Sequence, residues 1–157
     1  MSEKKATLCR DGKTRNLPTR IYSNRLAKEG ETRYDVLERT LAEKDDKVVI
    51  WCMTQREVHN VYRRLCTLYG EDAVHHISRA WSFGSKIDKL SQFNDGDSNV
   101  RFLITTPYVM GSGVEIDAER VIFFTEPLDP RTKEQTECRT YRFKATEMME
   151  LEIINLI

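Results

Sequence analysis

No run in the 157-residue sequence approaches the roughly 20 apolar residues that cross a bilayer. The opening stretch, MSEKKATLCRDGK, has no apolar signal region. Charge of one sign is also missing. Lys and Arg total 25, Asp and Glu total 25, and the formal net charge is zero. There is no overall basic field to draw the chain to nucleic acid, so any such contact must come from a local patch. The four cysteines, Cys9, Cys52, Cys66 and Cys138, form no CxxC pair, and the three histidines complete no zinc spacing. Reduced thiols in a cytosolic or nuclear protein are the expectation.

Catalytic signatures are missing as well. A phosphate-cradling loop reads GxxxxGK[ST], and its backbone N–H groups and lysine hold the phosphates. The nearest text, Gly84-Ser85-Lys86, lacks the upstream glycine and the preceding strand. The chain contains no Asp-Glu dipeptide, and Asp45-Asp46 precedes a strand instead of ending one. GxGxxG and GxSxG are absent. Alone, this chain is not expected to bind ATP tightly or to hydrolyse it.

What is present is an ordinary globular balance, with 39% hydrophobic and 32% charged residues, enough for one domain and one core. Residues 1–31 read as an N-terminal lead-in, polar and weakly patterned over 1–20. From residue 32 the pattern alternates. Residues 33–43 place Val36, Leu37 and Leu41 at helical spacing behind Thr32 as N-cap. KVVIWC, 47–52, is a buried strand. Thr54 caps a helix over 55–69 with Val58, Val61, Tyr62, Leu65 and Leu68 on its apolar face, and Gly70 stops it. Weaker strand character at 73–78 precedes a helical pattern at 85–94, then a buried strand at 100–106. A strand at 120–126, a helix at 131–142 and a strand at 151–157 follow. Strand–helix alternation implies a mostly parallel central sheet flanked by helices, an α/β fold in three layers. Ligands of such sheets sit at the carboxyl ends of the strands, which points to 52–56, 105–115 and 126–142.

Within that last segment, EQTECRTYRFK carries Gln135, Arg139 and Arg142 at i, i+4 and i+7. On a helix they share one face. Two arginines and a glutamine make a poor core face and a good anion-facing one, since guanidinium is permanently charged and matches phosphate with paired donors. The plainer reading is a solvated face pairing with Glu134 and Glu137, and helix periodicity alone favours it.

Order along the chain changes that balance. The sequence resembles the C-terminal helicase lobe, the second RecA-like domain, of superfamily 2 ATPases, and within them the Swi/Snf type of chromatin-remodelling DNA translocase. That family's last motif reads approximately Q-A-x-x-R-A-H-R-I-G-Q. Here it is Gln135-Thr-Glu-Cys-Arg139-Thr-Tyr-Arg142-Phe-Lys-Ala, with the Gln and both Arg in register. The preceding motif, a strand, a threonine and G-x-G-[ILV]-N-L, corresponds to FLITT, PYVM and Gly111-Ser-Gly113-Val-Glu115-Ile. KVVIWCMTQ matches the opening strand, and SKIDKLSQFN matches R-x-x-x-[IL]-x-x-F-N. The likeness runs from residue 32 to 157. Departures are Tyr141 for His, Lys144-Ala145 for Gly-Gln, and Glu115 for Asn.

The resemblance implies a lobe that works with a first RecA-like lobe of the same parent chain. ATP and Mg2+ would be held only with that first lobe present. Arg139 and Arg142 would be the fingers that reach the triphosphate. Gln135, Gly111, Gly113 and Glu115 fall where nucleotide comes close. Thr54, Gln55, Thr105 and Thr106 stand at strand ends where a nucleic-acid phosphate could be bound. For these four, helix capping and phosphate contact are equal readings. Implied partners are double-stranded DNA or chromatin, with no membrane, and the compartment is nuclear by the resemblance or else cytoplasmic. A different class stays open: Glu115 and the altered motif end also suit a degenerate lobe kept as a scaffold or protein-interaction module.

Overall fold

The computed structural model describes residues 6–8, 14–16, 19–109, 114–140 and 150–157. Short strands β1 (Ala6–Leu8) and β2 (Thr14–Asn16) pair antiparallel. The main sheet has six strands: β3 (Thr19–Arg25), β4 (Val48–Trp51), β5 (Val74–His76), β6 (Phe102–Thr105), β7 (Arg120–Phe123) and β8 (Glu150–Leu156). Their spatial order is β3-β8-β7-β4-β6-β5, and every neighbouring pair is parallel.

Each central strand is a short apolar run because both of its faces are covered. Val48, Ile50 and Cys52 face a cluster built with Val36, Leu37 and Leu41 of α1 (Arg33–Leu41) and Val58, Val61 and Leu65 of α2 (Gln55–Tyr69). Val49 and Trp51 face the opposite cluster with Leu90 and Phe93 of α3 (Phe83–Asn94) and Ile116 from the loop before β7. Lys133 of α4 (Pro130–Cys138) lies over Phe123 and Arg139 over Trp51, both rings of that second cluster, so α4 shares the face of α3. Each fully buried side chain of this size contributes about 1.5–3 kcal/mol.

The helix ends are written in the sequence. Thr32 and Thr54 form capping boxes with Asp35 and Glu57, Ser82 caps α3, and Asp129 caps α4 ahead of Pro130. Gly70 ends α2 at φ 88°, a backbone conformation that disfavours a side chain. Leu68, expected on the apolar face, is exposed, because it falls at the margin of the stripe set by Val58, Val61 and Leu65. Arg64 of α2 bridges to Glu38 (2.7 Å) and Asp35 (3.1 Å) on α1.

Two features go beyond the sequence reading. The lead-in assigned to residues 1–31 contains β3, which lies parallel to β8 from Thr19↔Glu150 to Arg25↔Leu156. Its polar, basic text hides the strand because it is a sheet edge and only part of each face is covered. Arg120, at the start of β7, is 1% exposed. Its guanidinium donates to both carboxylate oxygens of Asp46 (2.7 and 2.8 Å) and to the carbonyl of Thr40 (2.7 Å). It also approaches the carbonyls of Leu41 and Lys44 at 3.4 Å. The C-terminal carbonyls of α1, which have no partner within the helix, are thus met by Arg120 together with Arg101, which donates to the Leu41 carbonyl at 3.2 Å.

Candidate functional site

Topology locates the site. From β4 the chain proceeds through α2 towards β5 at one edge, and from β7 it proceeds through α4 towards β8 on the opposite side. The crevice between adjacent β4 and β7 at their carboxyl ends is therefore the switch point at which open α/β sheets bind ligands. Three segments meet there: Cys52–Gln55 after β4, Thr106–Pro107 after β6, and Phe124–Glu126 after β7.

The β4 and β7 segments are tied together through Glu57. One carboxylate oxygen of Glu57 accepts the N–H groups of Met53 (2.8 Å) and Thr54 (3.3 Å), and the other accepts the Thr125 hydroxyl (2.8 Å). Arg33 of α1 donates to the same Thr125 hydroxyl oxygen (2.9 Å). Thr54 is exposed, and its hydroxyl accepts the Glu57 N–H (3.2 Å), the capping arrangement. The Gln55 side-chain oxygen accepts the N–H of Arg79 at 3.4 Å, while its buried amide nitrogen has no partner. Thr105 is fully buried and its hydroxyl lies 3.4 Å from the Ile77 carbonyl. Thr106 is buried beside it.

Arg139 comes to the same end of the sheet. Its Nη1 donates to the carbonyl of Pro107 at 2.9 Å, and its guanidinium carbon lies 6.0 Å from the centroid of Trp51. Its backbone is held too: the carbonyl accepts the Ile116 N–H (2.7 Å), and Thr140 bridges to Ile116. That bridge draws the chain out of the helix, so α4 stops at Cys138 with Arg139 as C-cap, shorter than the 131–142 expected. Gln135 stays one helical turn behind Arg139, partly exposed. Glu115 is exposed, and its carbonyl accepts the Asn94 amide (2.9 Å). Gly111, Gly113 and Arg142 lie outside the described residues.

Glu137 does not behave as the surface partner of Arg139. It is 5% exposed and accepts from Arg20 (3.0 Å) and the Tyr22 hydroxyl (2.6 Å), both on β3. Burial and the hydrogen bond to Glu137 push the Tyr22 phenol above its ordinary value. The sequence signal for this strand is weak: Thr19, Ile21 and Tyr22, which favour strands, stand among polar and basic residues. Cys52 is buried in the core, where burial first, then the nearby Glu57 charge, raise its thiol well above the ordinary range. Trp81 anchors its loop, with its ring 5.1 Å from that of His76, whereas Phe83 opens α3 exposed to solvent. Among the described residues no group of three His, Cys, Asp or Glu could hold a metal ion, and no helix is long and apolar enough to cross a membrane.

The six-stranded parallel sheet with helices on both faces matches the RecA-like fold of helicase C-terminal domains. The helicase conserved C-terminal domain family matches residues 32–144, and the chain belongs to it. The fold agrees with that of the C-terminal part of the Fun30 ATPase domain, at 21% identity and TM-score 0.68 over 80% of this chain and 40% of that one. It agrees likewise with the C-terminal domain of the DEAD-box protein Dbp5, at 19% identity and TM-score 0.67 over 88% of this chain and 75% of that one. A hypothetical ATP-dependent RNA helicase from Sulfolobus tokodaii is similar at 22% identity and TM-score 0.65, over 88% of this chain and 38% of that one. The chain thus spans well under half the length of the Fun30 and Sulfolobus structures. No curated protein matches it by sequence.

Proposed function

We propose that this domain is the second lobe of an ATP-dependent DNA translocase of the Swi/Snf kind, and that Arg139 and Arg142 are arginine fingers for ATP bound on a separate first lobe. The observation that carries this reading is Arg139 at the carboxyl end of the central strands, with its guanidinium against the Pro107 carbonyl. A neutral carbonyl is a weaker partner than a phosphate oxygen, since charge-assisted hydrogen bonds are roughly twice as strong. A first lobe that brings ATP across the crevice would offer this guanidinium such a phosphate contact. The nucleotide and its Mg2+ would supply the leaving group and its charge neutralisation. This chain would supply positive charge to the transition state.

The ordered match to Swi/Snf motifs from 32 to 157 favours that branch over the RNA-directed ones. Chromatin as substrate and a nuclear location go with that branch. Gln135 would orient the helix or bond a phosphate, and Glu115, in place of the usual Asn, would make the adjoining loop less attractive to nucleic acid. Of the strand-end candidates, exposed Thr54 with the N-terminus of α2 is the better placed to meet a phosphate. The test is steady-state ATPase activity of the full-length parent protein. Arg139→Ala should lower kcat on the order of 10³-fold with KM for ATP little altered. Wild-type kcat in that variant would refute the finger assignment. Stimulation by RNA but not by double-stranded DNA would refute the Swi/Snf assignment.

A further inference from the structure

We infer that Glu137, Arg20 and Tyr22 form a positioning triad that sets the place of the Arg139 guanidinium, so that strand β3, outside the family match at 32–144, acts on phosphoryl transfer from a distance. The inference rests on the finger reading of Arg139.

Glu137 stands two residues before Arg139, in the last turn of α4. Its side chain is 7% exposed and that of Arg20 is 16%. A carboxylate is buried at the end of a helix only where something in the fold compensates it. Here the compensation comes wholly from β3: the Arg20 guanidinium at 3.0 Å and the Tyr22 hydroxyl at 2.6 Å. Arg20 also reaches the Cys138 sulfur at 3.8 Å, the residue adjoining Arg139. A helix C-terminus is not a favourable place for an acid, because the helix dipole is negative there. Glu137 is thus out of place for α4 taken alone and fits only as one half of a tie to the sheet.

The tie makes geometric sense. The end of α4 is clamped on two sides, by Ile116 donating to the Arg139 carbonyl at 2.7 Å and by Glu137 held on β3. A one-residue C-cap between two clamps has little freedom in backbone direction, and that direction sets where the guanidinium points. β3 is itself zipped to β8 over seven residue pairs, which makes it a stiff anchor. Loss of the tie would leave Arg139 present but loosely aimed, and misplacement of about 1 Å can cost up to about 100-fold in rate.

The experiment is ATPase kinetics of the full-length parent protein at saturating DNA, with Tyr22→Phe, Glu137→Gln and Arg139→Ala alone and combined. Tyr22→Phe removes one hydroxyl from a half-exposed ring and leaves the fold intact, so it serves even if Glu137→Gln does not fold. We expect kcat to fall about threefold for Tyr22→Phe and about tenfold for Glu137→Gln, with KM for ATP little changed. In the Arg139→Ala background both substitutions should be silent, because there is no guanidinium left to aim. A merely structural tie would lower kcat by the same factor in both backgrounds, and that result overturns the inference. So does wild-type kcat for Tyr22→Phe and for any folded Glu137→Gln while Arg139→Ala is impaired. If Arg139→Ala itself retains wild-type kcat, the finger reading has failed, and the triad with it.

Discussion

Arg120→Met tests the buried ion pair at the start of β7. The substitution keeps an unbranched side chain of similar length and removes the guanidinium. Asp46, 9% exposed, then keeps a buried charge with its two short guanidinium bonds gone. The Thr40 carbonyl loses its 2.7 Å donor, and those of Leu41 and Lys44 lose the contacts at 3.4 Å. Removing one partner of a buried pair costs about 3–5 kcal/mol, mainly because the remaining charge is uncompensated. A domain of this size is stable by about 5–15 kcal/mol, so the loss is a large share of the whole. At about 2–4 °C per kcal/mol, Tm should fall by about 6–20 °C. Urea unfolding should show a lower midpoint at unchanged m. The double variant Arg120→Met/Asp46→Leu should recover much of the loss, because no lone charge stays behind. A loss below about 1 kcal/mol in the single variant would refute the reasoning, as would a double variant less stable than the single one.

Two further outcomes can be checked on the same chain. Thr54→Ala removes the hydroxyl that caps α2 and should cost about 1 kcal/mol in urea unfolding, with Thr54→Ser close to wild type; equal stability of all three would remove the capping account. Burial, with His59, Lys89 and His75 adding positive charge nearby, holds His76 below its ordinary value of 6.5. The unfolded chain therefore takes up a proton before the folded one does. The stability tied to neutral His76 is complete above about pH 6.5 and is lost as pH falls below it towards the folded value. Tm measured from pH 7.5 down to 5.5 should fall less steeply in His76→Gln than in wild type, and parallel curves would count against the assignment.

How much was legible in the sequence varies with the kind of residue. The buried strands VVIW, FLIT and RVIF and the capped helices α1 and α2 are strong local signals, and the structure has them within three residues of the expected bounds. Parallel order followed from alternation alone. Edge strand β3 was missed because an edge alternates weakly and carries charge, and its partner lies far along the chain. The roles of Arg120 and Glu137 were missed for a related reason. A buried charge is recognisable only from its partner, and Asp46 and Arg20 are remote in sequence. The helix expected to run to 142 stops at Cys138 because a long-range bridge from Ile116 outweighs local helix character. Motif order singled out Arg139 as a candidate, and its contact with Pro107 was not legible.

The β3–β8 pair also sets a sequence of events in time. Asn24 and Asn155, bonded across it at 3.3 Å, are 131 residues apart in the chain. Closing so long a loop is entropically costly until the intervening strands have formed. On a ribosome, β3 emerges before every other strand of the main sheet and waits without its only neighbour in that sheet until β8 appears. Its charged, broken pattern, which obscures it as a strand, keeps it from pairing elsewhere during that wait. Pairing with β8 is then the step that seats Arg20 and Tyr22 beneath α4.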